Sequence, residues 1–146
     1  MSDVFNDKPG IVFWITSGAA LVWNLFGLSI YVMQVSASSD ELSAAYTVGQ
    51  VAFIEATPVW AISAFAIAVT AGVLGCLSLL FGKAWAVPLF VVSLLSMLIQ
   101  NVNSYVLNDA VALFGPTPAI IQTTVITIGV ALIWYARRVK ERGWIS

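Results

Sequence analysis

Six side chains in this sequence have the type to hold a neutral, hydroxylated ligand: Asn24, Glu55, Gln100, Asn103, Ser104 and Gln122. Amides offer paired donors and acceptors, a hydroxyl offers one of each, and aromatic faces pack on the C–H surface of a sugar-like solute. Gln100, Asn103 and Ser104 are three and four residues apart, so a helix would put them on one face. Asn24 stands beside Trp23, and Gln122 is followed by Thr123 and Thr124. The plain alternative is that these groups are structural, bonding between helices or meeting interfacial water. Glu55, three residues before Pro58, is placed to pair with a partner subunit, coordinate a cation or gate a vestibule. Its plain alternative is a solvated loop carboxylate.

Other chemistries lack their residues. The chain has no histidine and one cysteine, Cys76. His-ligated haem, the usual zinc sites, a histidine proton relay and an intramolecular disulfide are therefore closed off. There is no Ser/His/Asp or Cys/His set, no Gly-rich phosphate loop and no metal-ligand spacing. The expectation is a protein that is not an enzyme, with no cofactor and no metal. A net charge of −1 gives no reason to expect a nucleic-acid partner.

The elements that must position these side chains follow from hydropathy. The sequence is 60% hydrophobic and 9% charged over 146 residues, which is not the composition of a soluble domain. Four long apolar stretches, about 11–35, 58–81, 84–106 and 118–135, each supply the ~20 residues that cross a ~30 Å hydrocarbon layer as a helix. The expected fold is all-α: a polytopic membrane protein, one domain over 1–146, built as a four-transmembrane-helix bundle. The first stretch is too long, and its flank too acidic, for a cleaved signal peptide, so it is expected to be retained.

All six basic residues fall on one side of this arrangement. Lys8 precedes the first stretch, Lys83 links the second and third, and Arg137, Arg138, Lys140 and Arg142 follow the fourth. The other two links carry Asp40, Glu41, Glu55 and Asp109 and no cation. Positive charge stays inside, so both termini are expected in the cytoplasm. The tail 137–142 reads as a stop-transfer anchor that also meets anionic headgroups. Trp14, Trp85 and Trp134 map to the cytoplasmic interface and Trp60 to the outer one.

Local signals mark the ends. Ser38-x-x-Glu41 matches a capping box, and apolar spacing after it predicts a short amphipathic surface helix over about 39–49. Thr57-Pro58 and Thr117-Pro118 read as a threonine cap followed by proline at the first helical position. Gly82-Lys83 makes a tight hairpin, and one further helical turn is expected from Asp109.

Ala64, Ala68, Gly72 and Cys76 recur every four residues and form a helix-packing face. Small residues let helices approach closely in lipid. The face is either a seam between protomers or packing inside one bundle. No Asp, Glu, Lys or Arg lies in the central part of any span. That argues against a proton-coupled pump or a small multidrug antiporter, which relies on a carboxylate in its first helix. No internal repeat is evident.

Several segments carry a family resemblance: Trp23-Asn24, Thr57-Pro58-Val59-Trp60-Ala61, Ala64 to Val69, Gly72-Val73-Leu74-Gly75-Cys76, Lys83 to Phe90, Ser93-Leu94 and Trp134-Tyr135-Ala136-Arg137-Arg138. Together they resemble a family of small four-helix bacterial inner-membrane proteins, largely uncharacterised, whose members are often labelled sugar transporters. The resemblance covers most of the chain and implies the bacterial inner membrane and transport. It carries over no site residues. Two functions follow as expectations. One is a transporter or facilitator for a neutral, sugar-like solute, acting as a homo-oligomer with Asn24, Gln100, Asn103, Ser104 and Gln122 as its lining. The other is a non-catalytic accessory or assembly subunit docked on a larger membrane protein. Membrane lipid is a partner in both.

Overall fold

The computed structural model describes residues 9–146, and Lys8 lies outside them. Among the described residues the chain is helical, without strands. Four helices are long and apolar enough to cross a membrane: Ile11–Ser36 (α1), Val59–Leu80 (α4), the span Ala86–Leu107, and Thr117–Glu141 (α7). At 1.5 Å per residue, 22 to 26 residues reach about 33–39 Å, which exceeds the hydrocarbon layer. Between them lie Ser39–Ala45 (α2), Val48–Glu55 (α3) and Ala110–Phe114 (α6).

The surface helix expected over 39–49 is instead two helices. Tyr46 is extended and ends α2, and its ring meets Phe114 edge-on at 6.3 Å. Thr47 then opens α3 with a second capping box: its hydroxyl accepts from the Gln50 amide, and Gln50 Oε1 accepts from the Thr47 amide. Two reciprocal caps in one link make two short helices more favourable than one continuous one.

The threonine caps also differ from expectation. Pro58 itself precedes α4 in an extended conformation, and Thr57 donates its hydroxyl back to the Phe53 carbonyl at 3.2 Å. α7 begins at Thr117, after Pro116, with no side-chain cap. The third span is α5 (Ala86–Asn101) widened at its end into a π-helical turn, Val102–Leu107. α7 continues past residue 135 to Glu141, so Arg137, Arg138 and Lys140 ride on helix. Cations in a last helical turn offset the negative end of the helix dipole.

Two glycines stop helices by the same device. Gly82 and Gly143 have φ of 70° and 77°, the left-handed region that favours glycine. After α4, Gly82 N–H donates to Leu79 O and Lys83 N–H to Ser78 O. After α7, Gly143 N–H donates to Lys140 O and Trp144 N–H to Val139 O. Both are Schellman motifs, which satisfy the last carbonyls of a helix. The second turns the chain so that Ser146 N–H donates to Gly82 O and Ala84 N–H to Ser146 O, at 3.0 and 3.1 Å. The chain after α7 is thereby clipped onto the α4–α5 turn.

Packing is sequential. α1 lies on α4, α4 on α5, and α5 on α7. α4 is the central helix because it is the one with small residues on several sides: Ala61, Ala64, Ala68, Ala71, Gly72, Gly75 and Cys76 are all buried. The four-residue face is thus consumed within this chain. The row is open, since α1 and α7 share no packed seam along their lengths. Among the described residues their aromatic contacts lie at one end, where Phe13 stacks on Tyr135 at 6.4 Å and meets Trp144 edge-on at 5.7 Å. Buried Leu79, Phe90, Val139 and Ile145 complete that core. Lys83 and the α7 cations lie at this end; Glu41 and Glu55 lie on the short helices of the other, and Asp109 caps α6 there.

Candidate functional site: a cleft open between the first and last spans

An open row of four helices leaves a concavity, and here it is a cavity of about 160 Å³ between α1, α4, α5 and α7. Its walls are mostly apolar, among them Phe26, Phe65, Val69, Phe90, Met97 and Val125. The mouth lies where α1 and α7 fail to meet: Phe26, Ile30 and Ile121 line it and are 63%, 42% and 53% exposed. The lining runs along α7 from Ile121 to Leu132, about 16 Å of helix, or three turns.

Three polar side chains enter this lining: Asn24, Ser93 and Gln122. Asn24 sits where α1 crosses α4. Its Nδ2 donates to Ala20 O at 2.8 Å and to Cys76 Sγ at 3.4 Å. Gly72 makes room for it, because a Cβ at that position would collide with Asn24 Oδ1. Gly75, one turn nearer the clipped end, does the same for Phe90, whose ring edge would stand 2.7 Å from an added Cβ. Ser93 donates its hydroxyl to the Ala68 carbonyl at 2.6 Å, joining α5 to α4. Gln122 Oε1 accepts from Asn101 Nδ2 at 3.4 Å, joining α7 to α5.

Of the six side chains first singled out, the structure brings only Asn24 and Gln122 to the cavity. Gln100 donates to Ser104 within its own helix at 3.3 Å. Asn103 is 3% exposed, turned inward by the π-helical turn, where Asn108 Nδ2 donates to its carbonyl and side-chain oxygens. Gln100 and Ser104 thus keep a common face, whereas Asn103, within the widened turn, belongs to a separate network with Asn108. Glu55 accepts from the Ser39 hydroxyl at 2.7 Å on the short helices, away from the cavity.

Ser93 and Asn101 are not among the six candidate ligand residues. Ser93 was legible as the polar residue three before Ser96 and seven before Gln100 in an apolar helix. The bond between Asn101 and Gln122 joins residues 21 apart, and no local pattern announces it.

The cavity is close in size to the ~150 Å³ apolar cavities that stay dry, and well below the ~300–1,000 Å³ of small-molecule sites. Its amides are engaged between helices. Such a site takes one or two apolar side chains or a short hydrocarbon segment far better than a hydrated polyol. Comparison of the chain with protein-family models, with curated proteins and with solved structures finds no match.

Proposed function

We propose that this chain is a non-catalytic accessory subunit that docks on a larger membrane protein by accepting one of its transmembrane helices in the mouth between α1 and α7. The observation that carries the reading is that opening: an apolar cleft about three turns long, flanked by two spans that do not pack together. A helix laid over it would press one large apolar side chain into the 160 Å³ hollow, as a knob enters a hole. Between helices in lipid the gain comes from packing and from interhelical hydrogen bonds, so a shaped hollow matters more than apolar area alone. Gln122, at the outer end of the lining, is free to turn an amide N–H toward that helix while its oxygen holds Asn101.

The facilitator for a sugar-like solute finds less support. Its proposed lining is dispersed over four separate local networks, and the cavity walls lack the convergent donors a polyol needs. In this reading both termini face the cytoplasm, because Lys83 and the cations of α7 share one end, tied together through the Gly82–Ser146 bonds. Placement in a bacterial inner membrane follows from the family resemblance.

Photo-crosslinking residues at Phe26 and Ile121, compared with exposed Leu74 on α4, test the reading. A crosslink from both mouth positions to one protein, and none from Leu74, supports it. Crosslinks to lipid alone at the mouth would overturn it.

A further inference from the structure

A second groove lies along α7, on the opposite side of Leu94 from the cleft. Leu94, Val130, Ile133 and Trp134 form its apolar part, and Arg137 and Arg138 close its polar end. It encloses about 390 Å³, more than the cleft. Leu94 lines both hollows and packs so closely on Gly129 that a Cβ there would stand 3.2 Å from its Cδ1, so the two hollows are separated by this contact.

The groove has the shape of an amphiphile. Val130 and Arg138 are eight residues apart, which is about 12 Å along the helix axis. Val130 and Trp134 are 53% and 62% exposed, so the apolar part faces the surroundings of the bundle. The guanidinium of Arg138 stands 5.8 Å from the centre of the Trp134 ring, a cation–π contact that holds it over the groove. Arg137 lies beside it, and neither forms an ion pair within 4.0 Å among the described residues. Among the described residues Lys83, Lys140 and Arg142 add three further cations at this end, and Glu141 is the one carboxylate side chain lining the groove. Arg142 is itself spread over the Trp144 ring at 5.2 Å.

We propose that this groove is a specific site for one anionic phospholipid. The phosphate sits between Arg137 and Arg138, and the first part of an acyl chain lies along Trp134, Ile133 and Val130. Guanidinium forks match phosphate oxygens in pairs, which a diffuse positive surface does not. Glu141 disfavours a second negative group at the rim, so the site selects a singly charged phosphodiester such as phosphatidylglycerol. The proposal requires that α7 span a membrane and is independent of what occupies the cleft between α1 and α7.

The test is a lipid titration followed by native mass spectrometry of the delipidated protein in neutral detergent. Phosphatidylglycerol and phosphatidylethanolamine of identical chains are compared. The expected result is one stoichiometric phosphatidylglycerol at least tenfold tighter than phosphatidylethanolamine. Arg137→Gln with Arg138→Gln should remove that preference, whereas Lys140→Gln should change it by less than about twofold. Unchanged thermal unfolding of the double variant in neutral detergent confirms that its fold is intact; if it does not fold, Trp134→Ala, which removes the acyl contact and keeps both guanidiniums, should weaken the first lipid severalfold. Equal affinity for the two lipids overturns the proposal. So does an equal loss in Lys140→Gln, which would mark diffuse charge, or displacement of the lipid by millimolar inorganic phosphate, which would mark a free-anion site.

Discussion

Replacing Gly72 by alanine puts the packing of α1 on α4 to a quantitative test. The added Cβ would collide with Asn24 Oδ1, approach Asn24 Cγ at 3.1 Å and reach Ser93 Oγ at 3.3 Å. Asn24 would have to swing away, giving up its bonds to Ala20 O and Cys76 Sγ. Overpacking of a close contact costs about 1–3 kcal/mol. An interhelical polar bond in a membrane protein contributes ~0.6 kcal/mol on average. Alanine returns about 1 kcal/mol of helix propensity over glycine. The net expectation is a loss of about 0.5–2.5 kcal/mol. In an Asn24→Ala background the colliding amide is gone and only the rotatable Ser93 hydroxyl remains. There Gly72→Ala should be neutral or slightly stabilising, a coupling of about 1.5–3.5 kcal/mol between the sites. Reversible unfolding of the four proteins in mixed micelles measures it. If Gly72→Ala costs the same with and without Asn24, the contact is not what holds that position to glycine.

Gly75→Ala should also destabilise, by about 1–3 kcal/mol, because the Phe90 ring is packed on α4 and 3% exposed; Phe90→Leu should relieve most of the loss in the same unfolding measurement. Cys76 is fully buried, so a maleimide should label it only after denaturation, and rapid labelling of the folded protein would contradict its place between α1 and α4. Gly143→Ala should cost about 1 kcal/mol from the left-handed backbone and release the clip, seen as faster hydrogen exchange at the Ser146 and Ala84 amides. Protection at those amides unchanged from the native protein would show that the clip does not depend on that turn.

What the sequence made legible was whatever depends on hydropathy and on local caps. Twenty-odd apolar residues in a row have few alternatives to a spanning helix, and α1 and α4 lie where those runs lie. The Ser38–Glu41 box was readable because both partners sit within one turn. Thr47-x-x-Gln50 carries the same signature within one turn, so the break at Tyr46 is also written in the local sequence. The apolar run ends at Tyr135 while α7 continues to Glu141, because arginine and lysine are good helix formers and hydropathy marks the membrane span and not the helix end. The π-helical turn is different in kind. It depends on Asn108 reaching back to Asn103, and that redirected the very amides first assigned to a ligand. Likewise the cleft between α1 and α7 is a property of which helices do not touch, and no residue pattern within a span records it.

Native mass spectrometry of the protein extracted from its own membrane in mild detergent, alongside a Val125→Trp variant that fills the cleft, tests the accessory-subunit reading most directly. The account predicts one larger membrane protein bound at fixed stoichiometry, and loss of that partner in the variant with unfolding otherwise unchanged. A homo-oligomer free of foreign subunits, or a partner that Val125→Trp leaves in place, would contradict it.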